Sequence, residues 1–386
     1  MKRIYLDYAA TTPTHPEVVQ AMLPYFTEFY GNPSGIHALA QQARVAIEEV
    51  RSRLASFLNA RADEIIFTSG GTESDNTAIK GVALANEDRG NHIITSAVEH
   101  HAVLKTCEFL EQRGFSVTYL PVDENGTVAP GDVKEAITDK TILISIMHAN
   151  NEIGTIQPVA EIGGIAREAG VYFHTDAVQT TGHIPIDVEK LKVDLLSISA
   201  HKLYGPKGIG ALYARQGTRM ASLLHGGGHE GERRAGTENV PGVIGFGKAI
   251  EIAGREMGEE VIRLTALRER LISELMSRID HIRLNGHPTN RLPNNVNMSI
   301  SFIDGEAIGL NLDHGGICAS TGSACSSGSM EASFVLTATG VPPETARGSV
   351  RFTLGKWTSE GDIDRVVALL PGIVNKLRAI SPLLKN

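Results

Sequence analysis

The sequence predicts an α/β fold, with a large domain built on a mostly parallel sheet and a smaller α+β domain beside it. Three observations predict this. Short apolar runs alternate with helical segments as far as residue 214, one long helical pattern follows, and beyond it apolar and polar residues alternate. At 386 residues the chain is too long for one small domain and long enough to bury a sizeable core.

From about residue 38 to 59, Ala43, Ala46, Ile47, Val50, Leu54, Phe57 and Leu58 recur at helical spacing, which predicts an amphipathic helix. Runs at 64–68, 92–95, 115–120, 142–147, 171–174, 193–199 and 208–214 read as strands. Most are apolar throughout, as in strands covered on both faces. Helical segments such as 78–84 and 158–168 lie between them, and that alternation argues for a parallel sheet sandwiched by helices. Its strand order is not readable. The pattern at 243–279, with Leu264, Leu267, Leu271 and Leu275 on one face, is suited to linking two domains. After it, Val296, Met298, Ile300 and Phe302, and later Val350, Phe352 and Leu354, alternate with polar neighbours. Such alternation predicts strands with one solvated face. A last helix turns Ile363, Val366, Val367 and Leu370 inward. The expected division is a large domain over 15–260 and a small one from 1–14 with 261–386.

Composition narrows the function. With 42% hydrophobic and 21% charged residues the chain has no signature of disorder, and its net charge of −8 without a long Lys/Arg block argues against nucleic acid as a partner. The opening Met1-Lys2-Arg3-Ile4-Tyr5-Leu6-Asp7 meets an acid before a signal-peptide core could form. No stretch is apolar enough to span a bilayer, so a cytoplasmic enzyme without a membrane partner is expected. Cys107, Cys318 and Cys325 are the only cysteines. An odd, sparse set without CxxC argues against a disulfide framework or closed zinc site and leaves room for a reactive thiol.

Six polar clusters carry the chemistry. Thr68-Ser69-Gly70-Gly71-Thr72-Glu73-Ser74-Asp75-Asn76 joins a strand to a helix; paired glycines allow close approach, and a helix start favours an anion. Thr72 with Asp75 also fits a capping box, so a plain capped turn stays open. Ser199-Ala200-His201-Lys202 ends another strand. An amine forms an imine only when deprotonated, and a strand end beside Ser and His offers a partly desolvated seat, although a surface lysine would look the same. Asp176, in His174-Thr175-Asp176-Ala177-Val178-Gln179, either caps a helix after the strand or meets a ligand at the carboxyl edge of the sheet. Glu99-His100-His101 and His148-Ala149-Asn150-Asn151-Glu152 also come after strands, where turn residues are common. Finally, Gly322-Ser323-Ala324-Cys325-Ser326-Ser327-Gly328-Ser329 sets one thiol among small residues, which favours an accessible nucleophile over a structural cysteine.

Taken together, GGTESDN, EHHAVL, HANNEIG, HTDAVQ, SAHKLYGPKG, RRAGTEN and GSACSSGS closely resemble the cysteine desulfurases of the NifS and IscS type, as do Tyr5-Leu6-Asp7-Tyr8-Ala9-Ala10-Thr11-Thr12 and Gly31-Asn32-Pro33-Ser34. The resemblance runs the length of the chain. It implies the aspartate-aminotransferase-like fold of enzymes that use pyridoxal phosphate, assembled as a homodimer. Lys202 then resembles the Schiff-base lysine, Asp176 the partner of the pyridine nitrogen and His100 the imidazole stacked on the ring. Gly71, Thr72, Ser199 and His201 resemble the phosphate-binding groups, with Thr237 reaching the phosphate across the dimer. Gln179 and Asn151 resemble the residues around the ring hydroxyl, while Arg351 and Asn32 would bind the substrate, L-cysteine. The resemblance makes Lys202 and His100 the proton carriers and Cys325 the thiolate that takes sulfur as a persulfide, leaving alanine. The sulfur would pass to an iron-sulfur scaffold protein or another acceptor; no permanent metal is implied, only transient ligation of a cluster by Cys325. Rival readings are a selenocysteine lyase or aminotransferase of the same fold, with Cys325 incidental, and an inactive module that docks a scaffold protein.

Overall fold

The computed structural model describes residues 3–321 and 332–382, so Cys325 lies outside the described residues. A short strand, β1 (Ile4–Tyr5), opens the chain. Seven more, β2 (Ile65–Thr68), β3 (His92–Ser96), β4 (Ser116–Leu120), β5 (Thr141–Ser145), β6 (Tyr172–Asp176), β7 (Leu195–Ser199) and β8 (Gly210–Ala214), form one sheet. Their order is β2-β8-β7-β6-β5-β3-β4. Only β8 runs against its neighbours; the other pairs are parallel.

The period of two in these strands sorts apolar side chains into two layers. Ile65, Phe67, Ile94, Ile144, Leu196 and Ile198 face one core. Ile66, Ile93, Leu143 and Leu195 face the other. Helix Ala38–Leu58 covers the first layer with Ile47, Val50 and Leu54. His37 Nδ1 caps its start by accepting from the Ala40 N–H, and Asn59, at φ 57°, ends it in the left-handed conformation. Truncating Leu54, which is fully buried, to alanine would cost about 2–5 kcal/mol.

Helix Val240–Arg278 is 39 residues long and serves two cores. Val243, Phe246 and Ile250 join the first apolar layer, whereas Leu264, Leu267, Leu271 and Leu275 join a separate one. That second core is completed by β9 (Ile282–Leu284), β10 (Asn295–Ile300), β11 (Ile317–Cys318), β12 (Ser349–Thr353) and helix Glu360–Ile380. Strands β9, β10 and β12 form an antiparallel sheet with β10 in the middle, and β1 pairs with β11.

One expectation is corrected here. Every residue of β10 and β12 is buried, so neither strand has a solvated face. The polar face of β10 is covered by protein: Asn295 and Asn297 each donate through Nδ2 to the Glu152 carbonyl, at 3.1 and 3.0 Å, and Asn297 Oδ1 accepts from Asn285. The alternation also stops at Ile300; Phe302 lies in a turn at φ 70°. No described helix is long and apolar enough to cross a membrane.

Candidate active site

A cavity of about 410 Å³ opens at the carboxyl ends of β3, β5, β6 and β7. The chain leaves β3 toward β4 on one side and β5 toward β6 on the other, so the cavity lies beside the point where strand order reverses, which is where open α/β sheets hold ligands.

Lys202 reaches it from the tight turn Ala200–Lys202 just after β7. Its Nζ donates to the carbonyls of Ala9 and Ala10, at 2.5 and 2.8 Å. The amino-terminal segment is locked over this turn, because the Thr12 N–H and hydroxyl both donate to the His201 carbonyl. His201 faces the same cavity with Nδ1 3.0 Å from Thr11 Oγ1. Burial, helped by the positive charges of Lys202 and Lys207, pushes its pKa down to about 4, so the ring is neutral at pH 7.

At the end of β2 the chain turns sharply into helix Gly71–Ala85. A Cβ on Gly71 would lie 2.7 Å from Val178 Cγ2, so only glycine lets this helix start so close to the turn after β6. The helix presents Gly71 and Thr72 to the cavity opposite Ser199. Its first N–H groups, with the Thr72 and Ser199 hydroxyls, could hold an anion there. The anticipated Thr72–Asp75 capping box does not form. Gly70 is the N-cap, Glu73 Oε2 accepts from the Ser69 N–H, and Arg234 Nε holds Glu73 at 2.9 Å.

Asp75 instead points inward, and its role is the one that reading the motif missed. It lines the cavity, is 1% exposed, and its Oδ1 has no hydrogen-bond partner among the described residues. Each of Asp75, His100 and Asp176 places a polar atom within 4.8 Å of the other two. Two buried carboxyls this close cannot both ionise easily. Burial and the Asp176 charge hold Asp75 well above the usual carboxylate range. Burial raises Asp176 too, but His100 and Lys202 oppose the shift, and its Oδ1 accepts from the Val178 N–H at 2.9 Å. Asp75 is therefore the better seat for a shared proton and Asp176 for a negative charge. Asp75 lies three positions after Thr72 and four after Gly71; that helical spacing is the signal that could have found it.

His100 caps helix His101–Glu111, with Nδ1 accepting from the Ala102 N–H at 3.1 Å. A neutral ring bonded in this way carries its proton on Nε2. Burial lowers its pKa against the pull of Asp176. Asn151 and Gln179 also face the cavity, and Gln179 Nε2 donates to the Ala9 carbonyl at 3.0 Å. Asn150 does not; its amide is spent on the Val98 carbonyl and the N–H groups of Glu152 and Ile153. Arg351 enters from β12 with its side chain 4% exposed. Asp7 Oδ1 accepts from Nη2 at 3.0 Å, the Asn151 carbonyl accepts from Nη1 at 2.9 Å, and buried Nε has no partner among the described residues. Glu152 completes the wall, its carboxyl pushed up to about 7 by burial.

The structure thus brings Gly71, Thr72, His100, Asn151, Asp176, Gln179, Ser199, His201, Lys202 and Arg351 to one cavity. It does not bring Asn32 there: that residue is exposed, with Oδ1 accepting from the Ser34 N–H in a turn. Thr237 lines a different cavity of about 110 Å³ with Ser69 and Arg234. The donor set suits pyridoxal phosphate. A glycine-floored helix start can receive the phosphate, a buried carboxylate can face a ring nitrogen, and an amine and a partly unpaired guanidinium share the same enclosure.

Residues 4–366 match the family described as "Aminotransferase class-V". The chain is 59% identical to "Cysteine desulfurase IscS" of Dictyoglomus turgidum, an alignment that spans 99% of this chain and 97% of that protein. Among solved structures, it resembles a "NIFS-LIKE PROTEIN" with a TM-score of 0.92 at 39% identity, over 97% of this chain and 100% of that one. It also resembles "SspA in complex with cysteine", with a TM-score of 0.81 at 38% identity, over 92% and 100% of the two chains.

Proposed function

The chain belongs to the class-V aminotransferase family, and we infer that within it the chain is a cysteine desulfurase, which takes sulfur from L-cysteine, releases L-alanine and leaves a persulfide on Cys325. The observation that carries the reading is one enclosure holding Lys202, Asp176, His100 and Arg351 at the carboxyl edge of the sheet, in a chain that matches cysteine desulfurases from end to end.

Gly71, Thr72, Ser199 and His201 would hold the phosphate of pyridoxal phosphate, and Thr237 would reach it from the partner subunit of a homodimer. When bound, the cofactor supplies an electron sink for charge at the substrate's Cα, provided that a carboxylate keeps its ring nitrogen protonated. Asp176 is the group placed to do so, with Asp75 beside it as the neutral acid. Arg351 orients the substrate carboxylate; a planar fork matches it better than an ammonium would. The Lys202 amine takes the Cα proton, and His100, with its proton on Nε2, moves protons above the site. Cys325, as thiolate, attacks the substrate sulfur. The new S–S bond forms as the Cβ–S bond breaks, and its electron pair stays with the carbon, which takes up a proton. The net change is L-cysteine plus the Cys325 thiol giving L-alanine plus the Cys325 persulfide, so no outside oxidant is needed.

The persulfide would then pass to an iron-sulfur scaffold protein or another carrier in the cytoplasm, where Cys325 can ligate a growing cluster transiently. A division at 15–260, against 1–14 with 261–386, accompanies this reading; the change of core along helix Val240–Arg278 supports it. The test is Cys325→Ala in an assay with L-cysteine and a thiol reductant, which frees the persulfide sulfur as sulfide, reading alanine and sulfide together. Equal yields are expected from the parent, and loss of both with retained cofactor absorbance from the variant. A variant that still turned over would favour an aminotransferase or selenocysteine lyase.

A further inference from the structure

The mechanism makes no use of the carboxyl group of Glu152. Its side chain lies against the cavity, 7% exposed as a residue, and Oε2 accepts from the Ser333 hydroxyl at 2.6 Å. Its backbone is fixed independently: the N–H donates to Asn150 Oδ1 at 2.8 Å, and the carbonyl takes both amides of β10. Glu152 is thus a fixed post, and among the described residues its carboxyl hydrogen-bonds to Ser333.

Ser333 stands near the start of the described segment 332–382. It is 4% exposed and is the N-cap of helix Phe334–Ala338, where its Oγ also accepts from the Leu336 N–H at 3.2 Å. That helix is fastened to the site wall in two further ways. Phe334 meets the ring of His101, the neighbour of His100, edge-on at 5.0 Å. Val335 and Leu336 pack with Val98 and Ile153 in one small apolar cluster. A hydroxyl that links a capped helix to a buried carboxyl sets where the chain starts, and Ser333 stands only eight residues after Cys325.

We propose that Glu152 and Ser333 are positioning residues for sulfur transfer: their buried hydrogen bond fixes, against the cavity wall, the anchor from which the chain runs back to Cys325. The proposal rests on the reading of Cys325 as sulfur acceptor. It predicts a split between steps. Binding of L-cysteine depends on Arg351 and Lys202 and should not notice the anchor. Attack on sulfur depends on where Cys325 can reach, and small misplacements of reacting groups are costly.

The experiment is a single turnover of the cofactor-loaded enzyme with L-cysteine. Substrate binding is followed by the change in visible absorbance, and persulfide on Cys325 by alkylation and mass spectrometry. Ser333→Ala should slow persulfide formation by about 10- to 100-fold while the apparent affinity for cysteine stays within about 2-fold. Because alanine also weakens the cap, Ser333→Gly is run beside it; glycine caps almost as well but has no hydroxyl, so it should show the same loss. Ser333→Thr, which restores a hydroxyl, should recover most of the rate. An unchanged persulfide rate in the glycine variant, or an equal loss in cysteine binding, overturns the proposal. Cys325→Ala is the control for the reading beneath it: if that variant keeps releasing sulfide, the assignment of Cys325 fails first and the anchor's role goes with it, whereas the parental rate in Ser333→Gly with an inert Cys325→Ala rejects the anchor alone.

Discussion

The two sheets bury their residues for different reasons. In the large sheet both faces are mostly apolar: the buried polar side chains Ser145, His174 and Ser197 pair with one another, as do His92 and Thr141 at the amino ends, while Asp176, Ser199 and the turn carrying Lys202 open on the cavity at the carboxyl ends. In the small sheet β10 has one apolar face, while its other face is a row of buried amides and a hydroxyl, Asn295, Asn297 and Ser299. Those two amides are buried, and both hold the Glu152 carbonyl. Polar groups at a strand end are thus available for chemistry, and polar groups on a strand face are spent on architecture.

The sharpest way to break that contrast is to remove a group from each class. Lys202→Ala takes away an amine at the edge, and sulfide release should fall on the order of 10³-fold or more. Its unfolding free energy should stay within about 1 kcal/mol of the parent, as for changes that neither open a core cavity nor strand a buried charge. Parallel assays of sulfide and of denaturant unfolding check both halves. A large loss of stability would show that the lysine's bonds to the Ala9 and Ala10 carbonyls hold the amino-terminal segment in place.

Asn297→Ala should reverse the pattern. It removes a donor to the Glu152 carbonyl and leaves Asn285 Nδ2 with Ser299 Oγ as its remaining partner. Stranding such groups costs about 1–3 kcal/mol, read as a lower denaturation midpoint, while the cofactor absorbance is unchanged. The Glu152 carbonyl keeps Asn295 as a donor, so the lower end of that range is expected.

These two classes are not equally legible in the sequence. The strands of the large sheet show themselves because apolar residues on both faces leave no doubt about burial, and Asp176 and Lys202 stand out because each comes at the end of such a run. The alternation in β10 is equally visible, yet it says only that its two faces differ; that protein and not water covers the polar one depends on Glu152, some 140 residues earlier in the chain. Arg351 can be picked out, but its bonds to Asp7 and to the Asn151 carbonyl join segments that only the fold brings together. Asp75 is hidden by its own motif, since an acid three residues after a threonine at a helix start imitates a cap.

The smallest expected effect sharpens the contrast at a group that belongs to both classes. Glu99 precedes His100 at the end of β3, is fully buried, and accepts from the Ser96 hydroxyl at 2.6 Å and from the Met147 N–H at 3.0 Å. Met147 lines the cavity, so this carboxyl ties the β3 turn to the β5 turn at the site. Burial pushes its pKa up to about 8 against both hydrogen bonds. In the unfolded chain the group ionises in the ordinary carboxyl range, so over the interval between that range and pH 8 the folded protein holds a proton that the unfolded one has lost. Stability then falls as pH rises through the interval, and the contribution is fully present only below it. Glu99→Gln keeps the hydrogen-bonding shape without the proton and should flatten that part of the pH–stability curve of the cofactor-free protein, measured by denaturant unfolding from pH 5 to 9. An unchanged slope would mean that Glu99 is already ionised in the folded protein, held by the Ser96 and Met147 donors in spite of its burial, and the edge of the sheet would then carry one more negative charge beside Asp176 than the contrast between edge and face allows.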